Sequence, residues 1–226
     1  MDLTNTRPLI ISAGIGNWYP KGIERLERSL NFTGSPIPWM LWKDYPAGSY
    51  KHEMVPYYFK IQAFEIAREM GFTHVLWVDA SLWAVRSSMQ IFDIINDAGI
   101  YAFSSGYNLA QSVSDRALDA ASMTRDSAEG FTEFATGCVG FNFNNESGLK
   151  VYNLWREYMD AGMSKGSREH AGQSSDPRFL HHRQDQSCFS LALAKLGVRP
   201  TVGWDHVAYF SPNHNPEQVV FFIQGI

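Results

Sequence analysis

Cysteine is scarce in this 226-residue chain: only Cys138 and Cys188 occur, each inside an apolar segment. Two isolated thiols exclude a disulfide framework and fit a reducing compartment. An excess of one charge is also lacking. The formal net charge is −4, so no broad basic surface exists to grip a long nucleic-acid duplex. No apolar run approaches the length of a membrane span, and the polar start, Met1 to Pro8, does not read as a secretion leader. The expectation is a cytoplasmic chain with no membrane span. Repeats and a composition break are missing too, which leaves one domain over 1–226.

What the chain has is apolar and aromatic surface. Hydrophobic residues make up 45% and charged ones 19%, enough to bury a sizeable core. The pattern alternates between strand and helix. Leu9–Ala13 reads as a short strand stopping at Gly14-Ile15-Gly16, and Pro20 opens a helix to about Leu30. Trp39–Trp42 is a second strand. A helix after Pro56 carries one stripe of Phe59, Ala63, Phe64, Ile66, Ala67 and Met70, and Gly71 ends it. This β-α-β-α-β rhythm predicts an α/β domain, a mixed, mostly parallel central sheet with helices on both faces.

Further on, helices are expected near Met89–Asp97, Ser114–Met123, Gly148–Met159 and Asp185–Leu196, and a strand at Ile100–Ser104. Gly137–Phe143 reads as a glycine-containing bend entering a strand. Residues 162–180, rich in Gly, Ser, Arg and His, read as a loop or lid.

The most informative stretch is His74-Val-Leu-Trp-Val-Asp79-Ala80-Ser81. An apolar run of this length fits a strand buried on both faces. Side chains two apart in a strand share a face, so Asp79 and Ser81 point the same way at its carboxyl end, where α/β sheets bind ligands. Two oxygen ligands there suit a hard divalent cation that also holds phosphates.

In order along the chain, these segments resemble a GT-A glycosyltransferase, the fold of the nucleotide-diphospho-sugar transferases. Asp79-Ala80-Ser81 resembles the metal-binding Asp-x-Asp signature, with Ser81 in place of the second Asp. Gly137–Phe143 resembles the glycine loop beside donor sugar and acceptor, which implies contacts from Gly137 and Cys138. Gln184-Asp185-Gln186 resembles the acidic motif that opens a helix and carries the catalytic or donor-contacting Asp. His206 or His214 stands where the late metal-binding histidine is sought.

The resemblance implies transfer of a sugar from a nucleotide-diphosphate donor, a UDP-sugar foremost, assisted by Mn2+ or Mg2+. Ser81 brings no charge, so a weak or dispensable metal is also implied. Asp79 would anchor the ion, and Lys60 would reach the phosphates or simply face solvent. Ser12, Ala13 and Gly14 would seat the base. Asp185 would act as general base on the acceptor or support the donor sugar, with Gln184 beside it; helix capping is its plainer role. The loop cations Arg168, His170, Arg178, His181, His182 and Arg183 would close over the donor. The acceptor stays open among a glycan, a protein, a metabolite and a modified nucleobase. Two other readings stand: a degenerate GT-A domain that binds nucleotide or glycan without turnover, and a haloacid-dehalogenase-like phosphatase, which wants a second Asp where Ser81 stands.

Overall fold

The computed structural model describes residues 6–165, 174–200, 206–211 and 217–225. The chain opens with β1 (Pro8–Ala13), α1 (Tyr19–Phe32), β2 (Trp39–Trp42), α2 (Tyr58–Glu69) and β3 (His74–Val78). Proline sits in the first turn of α1, where its missing N–H leaves no bond unmade. Gly71 takes φ 82 just beyond α2, and its N–H donates to the Arg68 carbonyl, so the helix ends there. Then come β4 (Leu82–Ala84), α3 (Met89–Ala98), β5 (Ile100–Asn108), α4 (Leu109–Ser112), α5 (Asp115–Ala120), α6 (Arg125–Glu129) and β6 (Thr132–Asn142). The last elements are α7 (Glu146–Asp160), α8 (Asp185–Leu196), β7 (Val207–Tyr209) and β8 (Phe221–Ile223).

Five strands form the main sheet in the order β2-β1-β3-β6-β5. β1 pairs in parallel with both β2 and β3, whereas β6 runs antiparallel to β3 and to β5. Only β6 is reversed, so the sheet is mixed although four strands share a direction. The reversal follows from the connection: no long crossover helix separates β5 from β6, and a returning strand needs none. A small second sheet, β4-β8-β7, brings the end of the described chain beside Leu82–Ala84.

Period-two alternation sorts the strand side chains into two cores. Leu9 and Ile11 of β1 and Val75 and Trp77 of β3 pack with α2, α7 and α8. Ile10, Leu76 and Val78 pack on the other face with α1 and α3. Helices thus cover both faces.

Three expectations change. The strand at Ile100–Ser104 continues to Asn108. The helix expected over Ser114–Met123 stops at Ala120, followed by a left-handed Ser122 (φ 54) and the separate α6. The glycine bend is a bulge inside one eleven-residue strand. Phe134 faces the same core as Val139 and Phe141, so the alternation slips between them. The pairing with β5 jumps there, from Tyr101–Gly140 to Phe103–Ala135.

Candidate active site

The described site is built around Lys60. It lies on α2 at helical spacing from Ala63, Phe64 and Ala67, so the stripe that buries those residues also turns Lys60 inward. Its side chain is 2% exposed. An ammonium out of water needs compensation, since burying an unpaired ion costs several kcal/mol. Two carboxylates supply it. Lys60 Nζ lies 3.1 Å from Asp79 Oδ1 and 3.0 Å from Asp185 Oδ2. It also donates to the Thr136 carbonyl at 3.0 Å.

Each carboxylate is positioned a second time. Trp77 precedes Asp79 by two residues in the extended chain, so the two share a face, and the indole Nε1–H donates to Asp79 Oδ1 at 2.6 Å. The Thr136 hydroxyl donates to Asp185 Oδ2 at 2.7 Å. The bulge at Gly137 makes this possible by turning Thr136 toward α8 while Gly137 meets Asp79. A side chain at Gly137 would place its Cβ 3.4 Å from Asp79 Oδ2.

Burial alone would lower the Lys60 pKa, but Asp185 and Asp79 outweigh it and hold the ammonium above its ordinary range. Burial raises the Asp79 pKa, against the lowering pull of Lys60 and the Trp77 N–H. About a third of the Asp79 side chain stays open, so water moderates that rise. Burial, then the charge on Asp185, pushes the Tyr57 hydroxyl upward.

Strain surrounds the triad. Among the described residues, three other than glycine take positive φ: Tyr57 (60), Ser122 (54) and Gln184 (54). Tyr57 is the residue before α2, which carries Lys60, and Gln184 is the residue before α8, which opens with Asp185. Gln184, at φ 54 and ψ −118, sits in a region that costs about 1–3 kcal/mol.

Three adjoining cavities meet at Asp79. The first, about 370 Å³, runs between the carboxyl ends of β1 and β3, with Ala13 and Ile15 on one side and Asp79, Ala80 and Ser81 on the other. Tyr19, His52, Tyr57 and Phe59 give it an aromatic wall. The second, about 670 Å³, extends from Asp79, Ser81 and Gly137 toward Ser105, Tyr107, Arg183 and Gln186. The third, about 350 Å³, holds Lys60, Asp79, Thr136, Gly137, Arg183, Gln184 and Asp185. Connections from β1 and from β3 leave in opposite directions along the sheet, and such a switch point is where open α/β sheets form a crevice.

Asp79, Ala80, Ser81, Ala13, Gly137, Gln184, Asp185 and Lys60 therefore come together. Lys60 faces neither solvent nor an open phosphate site; its ammonium is held between the carboxylates. Ser12 is buried on the alternate side of β1, away from the cleft. Gly14 serves packing, because a Cβ there would collide with the Tyr19 carbonyl and Ile23 of α1. Cys138 points into the core beneath α1 and α3, where burial drives its thiol pKa well up, so it has no face to offer an acceptor.

The loop cations part company. Arg178 pairs with Asp126, Glu129 and Asp176. His182 is buried, with Nδ1 accepting from the Ser114 N–H and Nε2 against the Met163 carbonyl. His181 and Arg183 do line the cleft. Arg168 and His170 lie outside the described residues.

A divalent ion finds a poor donor set here. Asp79 Oδ1 and Asp185 Oδ2 already serve Lys60. His206 packs 6.0 Å from the Tyr101 ring. It stands three residues before Tyr209, the end of β7 that reaches the cleft. His214 lies outside the described residues. Among those described, no group of three or more His, Cys, Asp or Glu is placed to hold a metal. Of the expected ligands, Asp79 and Ser81 line the cleft together.

The order of the strand, the stripe and the acidic motif was legible in the sequence; Trp77 and Thr136 were not singled out. For Trp77 the signal was present, since it lies two residues before Asp79 in an extended run. Compared with protein-family models and with curated proteins, the chain matches none.

Proposed function

We propose that this chain is a glycosyltransferase of the GT-A kind, moving a sugar from a nucleotide-diphosphate donor to a hydroxyl acceptor. One observation carries the reading: the aromatic-walled crevice between β1 and β3 opens onto Asp79, with Asp185 across the same buried ammonium. The crevice suits a planar base, and its inner end suits a diphosphate and the sugar attached to it.

In this reading the bond between the anomeric carbon and the diphosphate oxygen breaks, and the electron pair leaves with the phosphate. A bond forms from the acceptor oxygen to the same carbon, and the acceptor's proton departs. Asp185 is suited to that proton or to the cation-like sugar. Its Oδ2 is fixed by Lys60 and Thr136, while no partner engages Oδ1 among the described residues. Thr136 and Lys60 are positioning residues that hold it. Arg183, exposed in the cleft and without a carboxylate partner among the described residues, meets the growing phosphate charge.

The side chains in the described cleft nearly balance, with Asp79 and Asp185 against Lys60 and Arg183, so a diphosphate arrives with its own charge uncompensated. Thermal-shift measurements with UDP, GDP and their sugars, with EDTA or with Mn2+, test the reading. A bound nucleotide raises the melting temperature by mass action. A shift with one nucleotide, followed by donor hydrolysis that Asp185→Asn abolishes in a folded protein, is the expected result. Binding that needs Mn2+ would show that the donor's phosphates complete an ion site at Asp79. No shift with any nucleotide overturns the proposal, and binding without turnover leaves a non-catalytic domain.

A further inference from the structure

Away from the Lys60 triad, the 670 Å³ cavity holds polar groups that the transfer chemistry does not use. Gln186 lines it, is 6% exposed, and its Nε2 has no hydrogen-bond partner among the described residues. Glu133 is 0% exposed. Its Oε2 accepts from the Ser105 hydroxyl, a wall residue of the cavity, at 2.5 Å, while Oε1 has no partner among the described residues. Glu133 and Ala135 lie on one face of β6 before the bulge, and Ala135 also lines the cavity. Where Arg183 joins this cavity to the next, His181 presents a third unpartnered atom, Nε2, with its ring edge-on to Tyr107 at 5.3 Å.

Buried polar atoms are nearly always satisfied, so open atoms on Gln186 and His181 in the two joined cavities, with a third on Glu133 behind the Ser105 wall, mark a missing partner. The set has a definite chemistry. The carboxylate oxygen needs a donor, the amide nitrogen needs an acceptor, and the imidazole nitrogen takes either role. A hydroxyl is both donor and acceptor, so one polyol can serve the amide and the imidazole and meet the Ser105 wall that Glu133 holds. A second anion is disfavoured by Glu133. The terminal torsion of a glutamine is broad, so Gln186 can turn Nε2 into the cavity at little cost. Tyr107 offers an aromatic surface for the C–H face of a ring.

We propose that this cavity is the acceptor subsite and that the acceptor is a carbohydrate, held by Gln186 and by the Ser105 wall that Glu133 positions. The assignment rests on the transferase reading above, because that reading makes the neighbouring crevice the donor site. It selects the glycan from the acceptor classes left open by the sequence.

Saturation-transfer NMR on the full chain, with and without UDP, tests it using glucose, galactose and their methyl glycosides at millimolar concentration. A Gly-Ser-Gly peptide and free adenosine serve as competitors of other classes. At least one saccharide is expected to bind, and Gln186→Ala to weaken it by about three- to tenfold, with UDP affinity unchanged. Glu133→Gln removes the charge and is expected to weaken the same sugar by about tenfold or more. Because Glu133 is buried, its variant is judged only with a native melting transition, and Gln186→Ala stands as the independent arm. UDP binding without any saccharide, or saccharide binding unaffected by Gln186→Ala, overturns the carbohydrate assignment and leaves the transferase reading in place. Displacement of the sugar by the peptide or by adenosine overturns it too. Saccharide binding without any nucleotide removes the transferase reading, and the acceptor role falls with it.

Discussion

Replacing Lys60 with methionine keeps most of the buried stem and deletes only the charge. It leaves Asp79 and Asp185 facing each other across the space that the ammonium filled, at 3.1 and 3.0 Å from it. Stranding a buried charge by removing its partner costs about 3–5 kcal/mol. The lower half of that range is expected here, because Asp79 is 32% open to water while Asp185 is 5%. For a chain of this size a loss of about 3–4 kcal/mol lowers Tm by roughly 6–16 °C. The pH dependence supplies a second readout. The Lys60 pKa is raised in the folded state, so its stabilisation is complete below the ordinary lysine value of 10.5 and disappears as pH rises through the folded value. Wild type should therefore lose stability in alkali, and Lys60→Met should lack that component. The variant should instead gain on the wild type as pH falls and protons relieve the two carboxylates. Urea denaturation at pH 5, at pH 7 and above pH 10.5, with Lys60→Met/Asp185→Asn as the partner variant, measures both effects. A loss below about 1 kcal/mol at pH 7, or parallel pH curves, would refute the idea that these carboxylates depend on Lys60.

Thr136→Val removes the hydroxyl that donates to Asp185 Oδ2 at 2.7 Å, and about 1.5–3 kcal/mol should go with it in urea denaturation. Gln184→Gly relieves a backbone held at φ 54, ψ −118; strain relief exceeds the added unfolded-state freedom, so the unfolding free energy from urea denaturation should rise by about 0.5–2 kcal/mol. Burial lowers the pKa of His74 and His181, and Arg183 lowers His181 further, so both stabilise the fold above the ordinary histidine value of 6.5 and that contribution is lost as pH falls through their folded values. Melting curves from pH 8 to 5 should show the loss, and His181→Phe should show less of it. Asp79, with its pKa raised by burial, acts in the opposite sense above 3.8, so the histidine effect is read nearest neutrality.

Much of the frame could be read directly. The apolar run before Asp79 could only be a covered strand, and the apolar helix from Asp185 to Leu196 has the bounds expected of it. Lys60 was harder, although its position held the clue. A lysine in register with Ala63, Phe64 and Ala67 is inside the stripe, and a charge there demands a counter-ion. Thr136 gave no such sign, because its direction depends on a bulge, and a bulge changes which face a residue takes without changing composition. The reversal of β6 was hidden for a related reason: three short helices, not one crossover helix, fill the space before it. Cys138 looked equivalent to Gly137 in sequence, yet neighbours on a strand face opposite ways.

The placement of strain answers a difficulty raised by the triad itself. Two carboxylates close enough to share one ammonium repel each other, and any looseness would let one of them swing to water. Tyr57 and Gln184 fix the first residues of the two helices that supply Lys60 and Asp185. A left-handed residue ahead of each helix sets the angle at which the helix begins, and therefore where its first side chains lie. The third such residue, Ser122, follows α5 and does not line the cleft. Strain of about 1–3 kcal/mol at a position is sustained only where the surrounding structure over-determines it. Here the surroundings are the ion pairs, the Trp77 and Thr136 bonds, and the buried Trp155, whose Nε1–H donates to the Asp185 carbonyl at 3.0 Å. Asp185 is therefore fixed through both its backbone and its side chain before any ligand arrives, which in the proposed transferase is the preorganisation that a charged transition state requires. It follows that Trp155→Phe, which removes the indole N–H and part of a fully buried ring, should loosen Asp185 and, in the proposed transferase, lower turnover more than nucleotide affinity once the variant is shown to fold.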